Sequence, residues 1–186
     1  MVRVKERYLL VNILYPQGSR DATGSQLSEL LLYNQPTTDA FTARTLVHAL
    51  KAEVTNFFGD FGAGSVERTL RVKYLSNATS TCILQCSRDH YRLVWAALTM
   101  MNRVPTKRGP GNPCIFRVVR VSGTIKKVEQ EAVRRARLLV IAAKDEMSGK
   151  TSDTLESLFG GTNSASEIAV VDAQDDSASE AGFGED

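Results

Sequence analysis

Lysine and arginine are missing from the last 36 residues of this 186-residue chain. All 23 of them lie in residues 1–150 beside 12 Asp and Glu, a net of +11, whereas residues 151–186 carry the other 9 acids. The formal net charge of +2 hides that division. An acidic, Ser/Gly/Ala-rich stretch buries too little apolar surface to offset its ordering entropy, so 148–186 is expected to be a disordered acidic tail. A strongly basic body points to a polyanionic partner such as nucleic acid, although the same charge also suits a merely solvated surface.

Cysteine is equally sparse. Of the three, Cys82 and Cys86 sit four apart in one strand-like run, about 13 Å when extended, too far for a disulfide. No His/Cys cluster has metal-ligand spacing, so no metal site and no cofactor are expected on this chain, and a reducing intracellular compartment is the expected setting. No apolar run is long enough to span a membrane. The opening M-V-R-V-K-E-R-Y alternates charged and apolar residues, unlike a secretory signal.

Catalytic residue types are few and scattered. The two histidines, His48 and His90, have no nucleophile or carboxylate spaced to complete a triad, so no catalytic residue is assigned. S-G-T-I-K-K at 122–127 lacks the G-x-x-x-x-G-K-[ST] spacing of a phosphate-binding loop.

What is present is an order of elements. Arg7–Tyr15 reads as a strand, followed by a polar insertion over 17–37 in which S-Q-L-S-E-L-L-L-Y has the makings of a short helix. Thr37, Thr38 and Asp39 are candidate caps for a helix carrying Phe41, Leu46, Val47, Leu50, Val54 and Phe57, with Gly59 as its stop. Alternation from Val66 to Tyr74 and a run from Thr79 to Cys86, joined by Ser76-Asn77-Ala78, read as a hairpin. Tyr91, Val94, Trp95, Leu98 and Met101 mark a second helix. Three prolines and two glycines make Arg103–Pro113 a loop. Cys114–Val121 is a fourth strand, and Thr124 to about Lys144 a third helix.

The order β-α-β-β-α-β with an added helix predicts an α+β, ferredoxin-like domain over 1–147, a four-stranded antiparallel sheet with two helices on one face. That sheet resembles the RNA-recognition module, which stacks bases on strand aromatics, but T-S-T-C-I-L-Q-C at 79–86 has no ring to offer. Any RNA is therefore expected to be held by phosphates and shape. The first and third strands are apolar on both sides (Leu10 and Leu14 against Leu9, Val11 and Ile13; Ile83 against Leu84), so the face away from the two helices must also be covered. The last helix is the first candidate, and a partner protein would cover what it leaves.

On a helical projection from Ile125, the side chains Val128, Ala132, Ala136, Leu139, Val140 and Ala143 fall within about 60° and form the expected packing face. Leu138 and Ile141 fall outside it. Lys126, Lys127, Arg134, Arg137 and Lys144 form a cationic stripe beside it. Two lysines in the first turn oppose the helix dipole, which makes sense where a phosphate docks on that helix end. Arg3, Lys5 and Arg7, at alternate positions, and Lys107 with Arg108 on the Pro/Gly loop complete the basic groups.

M-V-R-V-K-E-R-Y-L-L, V-K-Y-L-S-N, Y-R-L-V-W-A-A-L and N-P-C-I-F followed by V-S-G-T-I-K resemble the Pop-five family of protein subunits of eukaryotic ribonuclease P and ribonuclease MRP, over residues 1–16 and 38–140. The resemblance implies a non-catalytic, ferredoxin-like subunit that binds the catalytic region of the ribonuclease P or MRP RNA. The RNA, with bound magnesium, carries the chemistry that removes the 5′ leader of precursor tRNA, and the MRP particle processes ribosomal RNA. It further implies a TIM-barrel-like partner subunit of the Rpp-thirty type (Rpp-one in yeasts), other subunits of the particle, and nuclear and nucleolar residence. Arg3, Lys5, Arg7 and Gly123-Thr124-Ile125-Lys126 match the family pattern and become the favoured RNA contacts, whereas Lys127, Arg134 and Arg137 rest on the helical projection. The alternative is a protein–protein adaptor that makes no direct RNA contact.

Overall fold

The computed structural model describes residues 5–16, 33–107 and 109–147. Arg3, Arg108, most of the 17–37 insertion and the acidic tail lie outside the described residues.

Strand β1 (Glu6–Leu14) and strand β3 (Thr81–Ser87) are the centre of an antiparallel sheet, flanked by β2 (Arg71–Ser76) and β6 (Ile115–Ser122) in the order β2-β3-β1-β6. Helices α1 (Ala43–Glu67) and α2 (Tyr91–Met100) lie on one face and α3 (Ile125–Met147) on the other. This is the expected ferredoxin-like arrangement with its added helix.

Alternation in β1 divides the core in two. Leu9, Val11, Ile13 and Tyr15 join Leu46, Leu50 and Val54 of α1 and Val94, Ala97 and Leu98 of α2 in the larger cluster. Leu10 turns the other way and meets Ile83 and Val128, with Tyr8, Val119 and Ala132 packed around them. Burying one such aliphatic side chain contributes about 1.5–3 kcal/mol, so the first face carries most of the stability and the second only enough to seat α3. The cysteines Cys82, Cys86 and Cys114 are buried free thiols in the first face, each pushed up to about 12 by burial.

Three expectations need correction. Helix α1 is capped not at Thr37–Asp39 but at Thr42, whose hydroxyl accepts from Thr45 N–H while Thr45 Oγ1 accepts from Thr42 N–H. Thr37 is buried instead, accepting from the Tyr15 hydroxyl at 2.8 Å and bonded to Ser80 Oγ at 2.9 Å. That network holds Ser80 at φ 49°, a left-handed conformation uncommon outside glycine.

Second, Gly59 (φ 61°, ψ −156°) ends the first helical stretch as expected, but the chain bends there and resumes a helix to Glu67, so that Gly62 and Gly64 are helical. Val54, Phe58, Gly62 and Val66 recur every four residues, and a Cβ on Gly62 would stand 2.5 Å from Phe58 Cβ. Val66 therefore reaches the core from a helix, and the strand begins only at Arg71.

Third, the Arg103–Pro113 segment is a hairpin, β4 (Arg103–Thr106) with β5 (Gly109–Pro113), not a loop. A two-stranded ribbon consists of two edges, where a proline need not donate to a neighbour. Gly109, at φ 125°, supplies the turn.

Candidate nucleic-acid interface

Helix α3 begins one residue after Thr124, at the end of β6. Buried Ser122 accepts the Thr124 N–H through its hydroxyl at 3.3 Å, which fixes the exit of the chain from the sheet. Gly123 is half-buried, and Thr124, Lys126 and Lys127 are exposed. From that turn the helix runs back along β6, with Glu131 near Arg120 and Arg135 near Arg117.

The buried arc of α3 differs from the expected one. Val128, Glu131 and Ala142 are buried, and Ile125, Ala132, Arg135, Leu138, Leu139 and Ala143 half-buried, so the arc keeps part of the expected face but is rotated by about 60° from one centred on Ile125. Leu138, expected outside the packing face, packs against Ala142. Val140, expected inside it, is 56% exposed, and Ala136 is exposed as well. The cause is electrostatic. Glu131 turns towards the sheet because β6 presents Arg120 there, and Arg135 is held beside it as a donor to Glu131; an apolar count gives such residues no weight.

Three arginines, two from α3 and one from β6, converge on the Glu131 carboxylate. Arg134 donates to both oxygens of Glu131, from Nη2 at 2.6 Å and Nε at 2.8 Å, and Arg135 Nε donates at 2.8 Å. Arg120 Nη1 lies 3.7 Å away. Burial alone pushes the Glu131 carboxyl up, but the hydrogen bonds and charges of Arg134 and Arg135 prevail and hold it below its usual value. Arg117 is pushed down, first by burial and then by the Arg135 cation.

A bulge sets this arrangement. Residues three apart on a regular strand face opposite sides. Here Arg120 pairs with Leu10 and Val118 with Val11, so Val119 is an extra residue. Arg117 opposite Asn12 and Arg120 opposite Leu10 then share the face under α3.

The other flank of α3 is apolar. Ile125, Ala132, Val133 and Ala136 face Tyr74 and Ile83 across an open groove of about 440 Å³. Lys73 and Glu129 are its charged lining residues. Tyr74 and Val133 remain 49% and 50% exposed, so α3 leaves the β2–β3 half of the second face uncovered.

The candidate contacts distribute as follows. Lys126, Lys127, Arg134 and Arg137 form a continuous exposed row with Lys144, starting at the Gly123–Thr124 turn. Exposed Lys5 precedes β1 at the same end of the sheet, since Tyr8 pairs with Ser122. Arg7 is only 4% exposed, paired with Cys86 on the core side, so it does not share a surface with Lys5. Exposed Lys107, at the tip of the β4–β5 hairpin, belongs to the other end of β6, a strand itself about 25 Å long. Arg117, Arg120 and Arg135 were not among the expected contacts. The R-V-V-R spelling held the signal, but only the bulge brings both its arginines to one side.

Fold and site together define a ferredoxin-like protein with a cationic helix on the second face of its sheet. The chain belongs to the Rpp14/Pop5 family, whose pattern matches residues 7–133. It is 43% identical over 136 residues to the ribonuclease P/MRP protein subunit POP5 of Schizosaccharomyces pombe, covering 73% of this chain and 88% of that protein. The Saccharomyces cerevisiae protein of the same name is 32% identical over 155 residues, covering 82% and 87%, and the human one 29% over 143 residues, covering 76% and 77%. A chain in the cryo-EM structure of yeast ribonuclease MRP aligns with a TM-score of 0.39 and 12% identity over 74% of this chain and 98% of its own, a likeness too weak to bear on the fold.

Proposed function

We propose that this chain is a non-catalytic protein subunit of a nuclear ribonuclease P/MRP particle, which holds the catalytic region of the particle's RNA by its phosphates. The observation that supports this reading, beside the family, is the exposed cationic row of α3 that starts at the Gly123–Lys126 turn. Cations at a helix N-terminus are unfavourable alone and favourable once an anion docks there, where backbone N–H groups add to the attraction. Lys126 and Lys127 hold phosphate, Arg134 and Arg137 continue the track, and Lys5 approaches from the β1 end. The RNA and its magnesium perform the cleavage of precursor tRNA and the ribosomal RNA processing, in nucleus and nucleolus.

The apolar groove suits a protein neighbour within the particle. On this reading the TIM-barrel-like subunit covers Tyr74, Ile83 and Val133, as the two-sided strands require.

The test is Lys126→Glu with Lys127→Glu in the full chain. Thermal unfolding is expected to stay unchanged or move slightly upward, as acids suit this helix end, while affinity for ribonuclease P or MRP RNA falls at least about tenfold and its salt dependence flattens. Unchanged affinity, alone and with the protein partner, would overturn the reading in favour of an adaptor without RNA contact.

A further inference from the structure

We infer that Arg120, Arg134 and Arg135, gathered around Glu131, together with Arg117 beside Arg135, form one defined binding site for a single backbone phosphate of RNA. The inference rests on the RNA-binding reading above and adds a particular site to it.

Three guanidiniums from two elements meet at one carboxylate, and a fourth lies beside them. The three lie within 2.6–3.7 Å of the Glu131 oxygens, so the cluster already cradles one oxyanion. Arg117, the fourth, faces Arg135, and the two cations oppose each other. Arg120 Nε is buried with no hydrogen-bond partner, a donor whose desolvation nothing in the fold offsets. A fold that needed only to seat α3 would be served by apolar residues at these positions, as it is at Leu10, Ile83 and Val128.

Glu131 acts as a positioning residue. It holds the planar forks of Arg134 and Arg135 in fixed orientation beside β6, and such forks match the geometry of a phosphate. The site is open to solvent on the outer side: the Arg134 side chain is 57% exposed and that of Arg120 33%. It adjoins exposed Lys127 one turn earlier, so an RNA strand docked at the helix start passes directly over it.

A shared phosphate has a distinctive signature in a double-substitution cycle. Arg117→Gln and Arg135→Gln are made singly and together in the full chain, and affinity for ribonuclease P or MRP RNA is measured across a potassium chloride series. Each single change is expected to weaken binding about tenfold and lower the slope of log K against log salt by about 0.7–0.9, the value for one phosphate. The double variant should lose little more than either single, with the same slope. Arg117→Lys and Arg135→Lys, which keep charge and stem, should lose about threefold, because a point charge does not replace a fork.

Fully additive losses with twice the change in slope would overturn the single-phosphate site. So would unchanged affinity with altered thermal stability, which marks a purely structural network. The Lys126→Glu, Lys127→Glu variant separates the two levels. If it weakens binding while the arginine variants do not, the site falls and the RNA reading stands; if neither weakens binding, both fall.

Discussion

Helix α3 divides the second face of the sheet into two halves that are built in opposite ways. Towards β6 it meets arginines, and its own Glu131 and Arg135 turn inward to join them. Towards β2 and β3 it meets Tyr74 and Ile83 across an open gap, with alanines, Ile125 and Val133 on the helix side. The first half is closed by charge and the second left open by apolar residues, the reverse of an ordinary core and surface. On the proposed function one helix would serve both RNA and a protein neighbour, because its two flanks are separated by its own diameter of about 10–12 Å.

The division stands on a narrow base, which gives the strongest way to break it. Val128 is fully buried between Leu10 and Ile83, and these three are the buried centre of the cluster under the first turns of α3. Val128→Asp places an uncompensated carboxylate there, at a cost of several kcal/mol. Because the larger core on the first face is untouched, the expected outcome is release of α3 rather than global unfolding. Hydrogen exchange should then show residues 125–147 unprotected while β1 and β3 stay protected, and both RNA binding and partner binding should be lost. Retention of either would show that the flank concerned does not depend on a seated helix.

A gentler change separates the flanks. Val133 is half-exposed and lines the groove. Val133→Glu should alter stability by less than about 0.5 kcal/mol, as surface changes do. Co-purification of the protein partner should fall about tenfold or more while RNA affinity stays within about twofold. Loss of RNA binding with intact partner binding would exchange the roles assigned to the two flanks.

How much of this was legible in the chain follows the same line. Apolar residues on both sides of Arg7–Tyr15 and Thr79–Cys86 already required two covered faces, and β1 and β3 do carry Leu9 and Leu84 to one side and Leu10 and Ile83 to the other. The cationic row from Lys126 to Lys144 was visible at helical spacing and is exposed along its length. The orientation of α3 was not visible, because it is set by ion pairs rather than apolar periodicity. Nor was the Arg117–Arg120 pair, which depends on one extra residue in β6. The alternation from Val66 misled for a related reason: the helix resumes after Gly59 and carries Val66 to the core, with Gly62 packed too closely on Phe58 for a side chain. Arg7 alternates with Lys5 as expected, but β1 turns that side into the core.

The smallest effect concerns Glu131 and sharpens the charged flank alone. Its carboxyl is held below the usual value in the folded protein, by Arg134 and Arg135 acting against burial. A depressed folded pKa contributes stability that is present above the unfolded value, near 4.5, and is lost as pH falls through the folded one. Acid should therefore loosen the β6 side of α3 first. In a titration downward from pH 5, exchange protection of residues 131–139 should decline before that of β1 and β3. In Glu131→Gln that pH dependence should disappear from the helix, at a constant cost of about 1–3 kcal/mol from losing the charged acceptor of the arginine hydrogen bonds. If the acid response of α3 persists in Glu131→Gln, another carboxylate seats the helix, and the closure of this flank is not centred on Glu131.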